Sequence, residues 1–402
     1  MTGVRPTGRS RADGGVDNRA DGGADVVAPA AVGVNLTWLV PGVVGGSEEY
    51  TVRLLEAAGP RLPPGLRLRL YARPDLLDAH PGLGHHHEVV LAPVLPGGRA
   101  ARVVQEATWL AGQSRADAAV HHAGGTVPVR RTVPSAVTVH DLQPLEQPEN
   151  FHPVKRRWLA WSLPRAVAAA RLVLCPSGHT ADRLREVLRV PADRIRVVHH
   201  GHRLPALEHD RGADGPQHRF GRYVLYPAIA YPHKRHIDVV RALARLGSGL
   251  DDLAVVFTGR PGPETAAITA EAARLGVAER VVQLGRVPWA DLAALYRSAV
   301  ALVFPSAYEG FGNPAVEAMG LGCPVVASDA GALPEVISDA GLLAPIGDVD
   351  AIAAAITRVA TEPGLAATMR TRGRARAREF DVDIAADRLL DVYRELAGPS
   401  RP

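Results

Sequence analysis

The sequence predicts an α/β protein built from two parallel-sheet domains. Short apolar runs alternate with segments of helical periodicity, and this alternation occurs twice along the chain. A polar stretch rich in Pro, Gly and His, residues 204–219, separates the two occurrences and is expected to be an interdomain linker. The chain has 402 residues, of which 47% are hydrophobic and 22% charged, so a wholly disordered or fibrous protein is excluded.

The first half, residues 30–203, is expected to form an N-terminal Rossmann-like domain. A glycine loop and a helix over 47–58 follow its first strand. The predicted strands are Val32–Val40, Leu66–Ala72, Glu88–Ala92, Ala118–His121, Ala136–His140, Arg171–Cys175 and Arg194–His199. Residues 1–29 have no hydrophobic period and no apolar signal-peptide core, so we expect a disordered tail there.

The second half repeats the alternation more clearly and is expected to form a C-terminal Rossmann-like domain over residues 220–381. Its predicted strands are Tyr223–Tyr226, Ala254–Thr258, Val281–Leu284, Val300–Phe304 and Pro324–Ala327. Because open α/β sheets bind ligands at the carboxyl ends of their strands, two such halves predict a cleft between two sheets. The last segment, 382–402, begins with an amphipathic helix and is expected to pack back on the first domain.

Charge and cysteine content exclude several classes of partner. The net charge of +4 is too small and too evenly spread to predict a nucleic-acid partner. Cys175 and Cys323 lie far apart without metal-ligand spacing, as in a reduced cytoplasmic protein. The longest apolar stretch, Leu159–Cys175, is interrupted by Pro and Arg, so we expect no membrane span, although peripheral membrane contact stays open.

The stretch Phe304–Gly322, FPSAYEGFGNPAVEAMGLG, carries the strongest functional signal. A predicted buried strand ends at Phe304, the first residue of this stretch. A loop with two glycines then leads to Asn313 as the expected N-cap and Pro314 as the expected first helical residue. The free N–H groups at such a helix start favour an anion, for example a diphosphate. Glu309 in the loop and Glu317 in the predicted first helical turn suit sugar or ribose hydroxyls. The structural alternative is an acidic helix start that stabilises its own dipole.

The segment EGFGNPAVE, followed by AMGLGCPVVASDAGALPEV, resembles the signature of the group 1 (family 4) glycosyltransferases with its paired-glutamate motif. LYPAIAYPHKRH, VFTGRPG, LGRVPWADLAALYRSAVALVFPSAYEGFG and GLLAPIGD continue the resemblance through most of the second half. GVVGGSEEY, AVTVHDLQ, LCPSGHTADRL and VVHHG are consistent with it in the first half. The resemblance implies the two-domain GT-B fold, a nucleotide-sugar donor, retention at the anomeric carbon, and no bound metal or other cofactor.

The resemblance also implies roles for matching residues of the second half. Glu309 would bind hydroxyls of the donor sugar, Glu317 the ribose hydroxyls, and Lys234 the diphosphate. Only two of the 46 basic residues are lysines, which fits a position that needs a compact point charge. Val287 would hold the base through its backbone. The other implied donor contacts are Arg235, Gly310, Phe311, Gly312 and Asn313.

The chain departs from the family pattern at one position of the phosphate site. Family members commonly carry a Gly-Arg pair about six residues before the lysine, and its Arg is a second phosphate ligand. Ala228 and Ile229 occupy these positions here. Arg235 and Arg260 are the two candidates for supplying the missing cation.

Candidates in the first half are fewer. Gly45 and Gly46 open a helix after the first strand, where backbone N–H groups would approach the transferring phosphate, or where the glycines merely close a turn. His140 ends a strand in TVHD, and the resemblance places a cleft histidine beside the donor sugar there; a structural histidine is the alternative. Asp141 either orients this imidazole or caps the following loop.

The remaining histidines and a DxD sequence receive structural interpretations first. His85–His87 is expected to be a solvated loop, without a second cluster to complete a metal site. His121–His122 and His199–His200 lie at predicted strand ends that face the cleft, where contact with an acceptor is an alternative. Asp348–Val349–Asp350 directly precedes a helical run, and Asp348 or Asp350 is expected to cap it.

Together these features predict a retaining glycosyltransferase that moves a hexose, with mannose slightly favoured by YPHKRH, from a nucleotide diphosphate sugar to a hydroxyl acceptor. The acceptor would be a glycan, a lipid-linked glycan or a small molecule. The predicted catalytic residues are His140, Lys234 and Glu309. Two alternatives stay open: a nucleotide-sugar epimerase or hydrolase on the same fold, and a catalytically silent nucleotide-sugar-binding protein.

Overall fold

A computed structural model of the chain describes residues 30–42, 46–94, 98–124, 132–203 and 217–398. The predicted tail (1–29), Gly45, residues 204–216 of the predicted linker and the last four residues lie outside the described parts.

The first sheet contains seven parallel strands in the order β3-β2-β1-β4-β5-β6-β7. The chain moves outward from β1 in one direction and returns to add strands on the other side, which places the topological switch point between β1 and β4. The strands are β1 (Ala30–Asn35), β2 (Leu66–Ala72), β3 (Glu88–Leu91), β4 (Ala119–His122), β5 (Ser135–Thr138), β6 (Leu172–Cys175) and β7 (Ile195–Val197).

The second sheet contains six parallel strands in the order β10-β9-β8-β11-β12-β13, the strand order of a Rossmann domain. Its central strands are fully buried because helices cover both faces, so their sequences read as continuous apolar runs. The strands are β8 (Tyr223–Pro227), β9 (Ala254–Thr258), β10 (Val281–Gln283), β11 (Ala301–Phe304), β12 (Val325–Ser328) and β13 (Leu342–Ala344).

Helices connect the strands on both faces of each sheet. A π-helical segment, Glu106–Leu110, lies between the helices Gly98–Gln105 and Ala111–Gln113. The α-helices of the described residues are α1 (Gly46–Ala58), α2 (Pro74–Ala79), α3 (Gly98–Gln105), α4 (Ala111–Gln113), α5 (Gln143–Glu146), α6 (Pro153–Ala169), α7 (Gly178–Leu188), α8 (Gln217–Phe220), α9 (His236–Leu243), α10 (Thr265–Arg274), α11 (Trp289–Ser298), α12 (Asn313–Gly320), α13 (Leu333–Ile337), α14 (Val349–Thr361), α15 (Pro363–Arg378) and α16 (Val382–Ala397).

Two strand predictions need correction. The first strand ends at Asn35 rather than Val40, because the Asn35 side chain accepts hydrogen bonds from the backbone N–H and the hydroxyl of Thr37 and turns the chain. The edge strand β13, Leu342–Ala344, was not predicted.

The last helix belongs to the first core rather than the second. The apolar face of α16, including Leu389, Leu390 and Tyr393, packs in one cluster with Val32 of β1 and Leu55 of α1. The chain therefore crosses between the domains twice. In the parts of the chain that the structure describes, no helix combines the length and apolarity needed to cross a membrane.

Candidate functional site

A cleft of about 940 Å³ lies between the two sheets and is lined from both domains. The N-terminal domain contributes the start of α1 and the chain after β5. The C-terminal domain contributes the loops after β8, β9, β10 and β11. Of the predicted site residues, those on the cleft wall are Gly46, His140, Lys234, Val287, Glu309, Gly310, Phe311, Gly312, Asn313 and Glu317.

The loop between β11 and α12 forms the centre of the C-terminal wall. Helix α12 begins one residue earlier than predicted: Gly312 is the N-cap, with φ +103°, and Asn313 is the first helical residue. A left-handed backbone at this cap favours glycine. Gly310 meets a second constraint, because a Cβ there would lie 2.2 Å from the carbonyl oxygen of His140 in the other domain.

Asn313 does not cap its helix; its side chain contacts the N-terminal domain. Its Oδ1 lies 2.9 Å from Nδ1 of His200 and 3.3 Å from Nε2 of His202. The side chain is occupied by these histidines because Gly312 has taken the cap position. Asn313 therefore ties the start of α12 to the chain that follows β7.

The N-termini of α1 and α12 meet across the cleft. Gly46, the first residue of α1, lies close enough to Asn313 that a Cβ on Gly46 would be 3.5 Å from the Asn313 Nδ2 atom. The Glu48 carboxylate accepts the Gly42 N–H at 2.8 Å and lies 2.9 Å from Nε2 of His80. The positive dipole ends of two helices thus face one space, which favours an anion there.

Lys234 and Glu309 form an ion pair on the C-terminal wall, with 2.5 Å between Nζ and Oε1. Both side chains are largely buried, at 20% and 12% exposure. The Tyr226 hydroxyl donates to the backbone carbonyl of Lys234 at 2.7 Å, and the Ala307 N–H donates to the carbonyl of His233 at the same distance. The lysine is therefore held on a fixed backbone beside the loop that carries Glu309.

Arg235, a predicted donor contact, does not line the cleft. Its backbone is left-handed, with φ +55°, and its Nε lies 2.5 Å from Oδ2 of Asp238 on α9. Arg260 does line the cleft, beside Ile229. Backbone hydrogen bonds from Ala228 to Thr258 and from Glu264 to Ala230 hold the Arg260 loop against the chain where the family arginine would be.

Glu317 lies in the second turn of α12, not the first, and its side chain is buried on the cleft wall. The Tyr296 hydroxyl donates to its Oε2 at 3.1 Å. Burial raises the pKa of Glu317 to about 7, and the nearby Glu49 carboxylate acts in the same direction, while Arg53 and the Tyr296 hydrogen bond oppose it. The free protein therefore holds this carboxyl close to half-protonated at neutral pH.

His140 lies at the centre of the N-terminal wall. Its ring packs edge-on against Tyr50 and His200, at 5.7 Å in each case. Burial lowers its pKa to about 4, although the nearby Ala123 backbone opposes the shift, and neither ring nitrogen completes a hydrogen bond within the described residues. Asp141 beside it accepts the Gln143 N–H at 3.0 Å and so caps the following loop rather than orienting the imidazole.

Several contacts across the domains hold the two walls together. The Ser177 hydroxyl donates to the carbonyl of Gly310 at 2.7 Å. Glu335 on α13 accepts the backbone N–H groups of Gly178 and His179 at 2.8 Å each, at the start of α7. The Tyr308 hydroxyl donates to Glu146 at 2.6 Å. The sequence could not reveal these pairs because each joins residues more than 130 positions apart.

The other predicted histidines have different surroundings. His121 is buried between the Tyr393 hydroxyl and Thr138, His199 is bonded to the Pro176 carbonyl, and neither lines the cleft; nor does His122. His87 is buried against Leu55, which corrects the expectation that all of His85–His87 is solvated. Among the described residues, no group of three or more His, Cys, Asp or Glu side chains is placed to hold a metal ion. Asp348 caps α14, as predicted.

Comparisons with known proteins agree with this architecture. The family model for glycosyl transferases group 1 matches residues 218–376, and the model for glycosyltransferase family 4 matches residues 44–204. The chain is 30% identical over 276 residues to the O-antigen chain mannosyltransferase B of Escherichia coli, covering 65% of this chain and 70% of that protein. It is 26% identical over 218 residues to the O-antigen chain mannosyltransferase RfbU of Salmonella typhimurium, covering 52% and 57%.

A solved structure shows the same fold over nearly the whole length. The Anabaena protein HepE, in complex with UDP and glucose, superposes with a TM-score of 0.72 at 20% identity, covering 90% of this chain and 99% of that one. Two Rossmann-like domains that face a common cleft define the GT-B fold predicted from the sequence. The chain belongs to the group 1 glycosyltransferases and is a glycosyltransferase.

Proposed function

We propose that the protein transfers a hexose from a nucleoside diphosphate sugar to a hydroxyl group of an acceptor, with retention at the anomeric carbon. The observation that carries this proposal is the meeting of two helix N-termini, those of α1 and α12, in a cleft that also holds the Lys234–Glu309 pair. Such a site offers preorganised positive charge to a leaving diphosphate and carboxylate to sugar hydroxyls.

The diphosphate would lie between the two helix starts. Lys234 would exchange its contact with Glu309 for a contact with a phosphate oxygen, which releases the Glu309 carboxylate to accept hydrogen bonds from the sugar hydroxyls. The positive charge is largely buried, so its interaction with the departing phosphate is stronger than it would be in water. Opening this one ion pair therefore frees Lys234 for the diphosphate and Glu309 for the sugar.

The nucleoside would occupy the C-terminal wall. Glu317 is positioned for the ribose hydroxyls, and Tyr296 orients its carboxylate. Val287 lies on the cleft wall after β10, where its backbone would contact the base. These groups take no part in the bonds that form and break, so they contribute by holding the donor in a fixed position.

Arg260 is the better of the two candidates for the second phosphate cation. Unlike Arg235, it lines the cleft, and its loop is bonded to the Ala228–Ala230 segment that lacks the family arginine. Arg260→Ala should therefore weaken nucleoside diphosphate binding about tenfold, within the range for a charged hydrogen bond. Arg235→Ala is the matched control and should leave that affinity unchanged in the same calorimetric titration. Equal losses in both variants would remove the assignment.

For the chemical step we propose attack from the face that the diphosphate leaves. The acceptor oxygen forms its bond to the anomeric carbon as the bond to the phosphate oxygen breaks, and the acceptor proton passes to that phosphate oxygen. His140 is neutral near pH 7 and has two unused ring nitrogens with which to bind a sugar hydroxyl. Closure of the domains through their bonded contacts would keep water from the reacting carbon.

Mannose is the favoured sugar, since the two O-antigen relatives are named mannosyltransferases. The HepE structure contains UDP and glucose. GDP-mannose and UDP-glucose are therefore the first two donors to compare.

A thermal-shift panel of GDP-, UDP-, ADP- and dTDP-sugars tests the proposal. A donor present at 100 times its dissociation constant should add about 2.7 kcal/mol of apparent stability. The stabilising donor is then incubated with acceptors carrying free hydroxyls, with and without EDTA, and turnover should persist in both. Stabilisation by no nucleotide sugar would overturn the proposal. Release of free sugar or of an epimer, with no transfer to any acceptor, would indicate the hydrolase or epimerase alternative.

A further inference from the structure

The carboxamide of Asn313, at the start of α12, is held by two histidines of the other domain. Its Oδ1 lies 2.9 Å from Nδ1 of His200 and 3.3 Å from Nε2 of His202, both in the chain that follows β7. A carboxamide oxygen only accepts hydrogen bonds and has two lone pairs, so each histidine carries its proton on the nitrogen that faces Asn313. The two contacts use both lone pairs and fix the amide in one orientation.

Both imidazoles are neutral in the folded protein. Burial lowers the pKa of His202 to about 4 and holds the pKa of His200 well below its usual value, although the hydrogen bond to Asn313 opposes each shift. A neutral imidazole has a single N–H, and in each ring this N–H is directed at Asn313. The two rings therefore act as fixed hydrogen-bond donors to one oxygen.

The backbone that carries the two histidines is held where the chain returns to the first domain. The His202 N–H donates to the Phe380 carbonyl at 2.9 Å, and the Val382 N–H donates to the His202 carbonyl at 3.2 Å. Gly201 permits this close approach, because a Cβ there would lie 2.7 Å from the Val382 Cα. The histidines are thus presented to Asn313 from a backbone with little freedom.

The His200 ring is held by stacking as well. Its centroid lies 4.0 Å from that of Tyr50 on α1 and 4.9 Å from that of Phe311 in the loop before α12. The ring therefore lies between the starts of the two helices, with its Nδ1 on the side of Asn313. Such packing fixes a side chain in the orientation that its hydrogen bond requires.

The nitrogen end of the Asn313 amide is the part with unused capacity. Within the described part of the chain, the contacts to His200 and His202 are the hydrogen bonds of this side chain, so the two N–H groups of Nδ2 have no partner there. A Cβ on Gly46, the first residue of α1, would lie 3.5 Å from Nδ2. Asn313 and Gly46 both line the cleft. Nδ2 is therefore a preorganised donor at the place where the positive ends of α1 and α12 meet.

We propose that Asn313 donates from Nδ2 to an oxygen of the leaving diphosphate, and that His200 and His202 are positioning residues that orient its amide. This role rests on the proposed function, which places the diphosphate between the two helix starts. Because the histidines and Asn313 belong to different domains, the donor is aligned only while the domains are in contact. Stabilisation of the leaving group is thereby linked to closure of the cleft, which limits loss of the donor to water.

Two substitutions of Asn313 separate this role from a merely structural tie between the domains. Asn313→Asp keeps the shape and the oxygen that accepts from the histidines, but places a carboxylate oxygen beside the diphosphate. Its affinity for GDP, UDP and inorganic pyrophosphate should fall about 100-fold, and its melting temperature should not fall, since an acidic residue suits the first turn of a helix. Asn313→Ala should lose about tenfold in affinity. A structural tie predicts the opposite order, because Asp preserves the contacts that Ala removes.

A double-mutant cycle tests the two histidines. His200→Phe keeps a ring to stack on Tyr50 but removes the N–H, so affinity for the same ligands should fall about fivefold, the scale of one neutral hydrogen bond. The same substitution should have no further effect when Asn313 is already Ala, because His200 acts through Asn313. His202→Phe should behave in the same way. His199→Phe, next in the chain but outside the cleft, is the matched control and should change affinity in neither background.

Calorimetric titration of each variant, followed by steady-state rates, gives the decisive readouts. kcat should fall in the same order as affinity, since charge on the diphosphate grows as its bond to the sugar breaks. Unchanged affinity in Asn313→Asp, or a larger loss in Asn313→Ala, would overturn the assignment of Asn313. A further loss from His200→Phe in the Asn313→Ala background would overturn the positioning role. If the unaltered protein binds neither nucleotide nor pyrophosphate, the proposed function itself fails and this role fails with it.

Discussion

The two walls of the cleft differ in how their polar groups are satisfied. On the C-terminal wall, Lys234 is paired with Glu309, and Glu317 is bonded to Tyr296. On the N-terminal wall, His140 has no hydrogen-bond partner for either ring nitrogen within the described residues, and Nε2 of His200 is likewise without one. The charged groups Lys234, Glu309 and Glu317 thus have partners, whereas the imidazoles of His140 and His200 have unused hydrogen-bonding capacity.

This difference indicates that the two walls bind different parts of the substrates. A buried polar atom without a partner costs free energy, and a ligand that supplies a partner recovers it. Charged pairs hold a donor whose diphosphate and ribose are constant features. Neutral imidazoles suit hydroxyl groups on the transferred sugar or the acceptor, which both donate and accept hydrogen bonds. We therefore expect substitutions of Lys234 and Glu317 to change nucleotide binding and substitution of His140 to spare it.

The largest effect is expected at Lys234. Lys234→Ala removes the charge that would stabilise the departing diphosphate, so kcat should fall about 100-fold or more. Lys234→Arg should restore activity only in part, because the guanidinium is larger and forked. Steady-state rates with the donor identified by thermal shift measure both. Arg235→Ala, one residue away but outside the cleft, is the control; a loss equal to that of Lys234→Ala would contradict the role.

Substitutions of Glu309 and Glu317 should change different kinetic parameters. Glu309→Gln should lower kcat about 30-fold, within the range for a charged hydrogen bond made to the reacting sugar, while nucleoside diphosphate binds as tightly as before or more tightly. Nucleotide binding should not weaken, because Lys234 no longer has to give up its ion pair with the Glu309 carboxylate before it contacts the phosphate. Glu317→Ala should mainly raise KM.

Titration of the nucleoside diphosphate into both variants decides between this expectation and a purely structural role at the start of α12. The structural role predicts that each variant loses stability and little activity. An unchanged kcat in Glu309→Gln, or the same loss of nucleotide affinity in both variants, would remove the separation.

The sequence predicted the C-terminal wall better than the N-terminal wall for a physical reason. Glu309 and Gly312 lie in one continuous segment, where a strand end, a loop and a helix start follow each other directly. The local error, Asn313 as N-cap, arose because Gly312 takes the cap with a positive φ that the sequence does not specify. Both sheets were predicted because buried parallel strands leave apolar runs that need no tertiary information.

What sequence reasoning missed depends on the meeting of distant segments. Tyr296 reaches Glu317 from α11, and His200 reaches Asn313 from the chain after β7. The side chain of Arg235 contacts Asp238 rather than the cleft. The backbone at Arg235 has a φ of +55°, which the amino-acid composition does not specify. The signal that could have been used is the string HHGH at 199–202, whose histidines lie in two different environments.

An intermediate effect is expected on the N-terminal wall. His140→Ala removes a hydrogen-bonding group from the transferred sugar, so kcat should fall about tenfold, the scale of one neutral hydrogen bond, while nucleoside diphosphate affinity stays unchanged. Because burial holds the pKa of His140 near 4, the imidazole is neutral above about pH 5. His140 therefore does not titrate between pH 6 and 7. The relative change in kcat over this range should be the same in His140→Ala and in the unaltered protein. Weaker nucleotide binding in this variant would break the division between the walls.

The smallest effect is a proton linked to nucleotide binding. With a pKa of about 7, the folded protein keeps the Glu317 proton in a range where the unfolded chain, with the ordinary pKa of 4.5, has lost it. The folded state thus binds more protons between these values, so this carboxyl makes the unfolding free energy fall as the pH rises from about 4.5 to 7. Ribose hydroxyls donate to the carboxylate form, so binding should lower the pKa and release about half a proton at pH 7.

The affinity for nucleoside diphosphate should then increase about threefold between pH 6.5 and 7.5, as the carboxyl ionises without needing the ligand. Calorimetry in buffers of different ionisation enthalpy measures the proton release directly. Glu317→Gln keeps the size of the side chain but cannot titrate, so its affinity should be lower and should lack this contribution to the pH dependence. The phosphate of the ligand titrates in both proteins, so the difference between them isolates Glu317. Persistence of the full pH dependence in the Gln variant would move the linked proton to another group of the cleft.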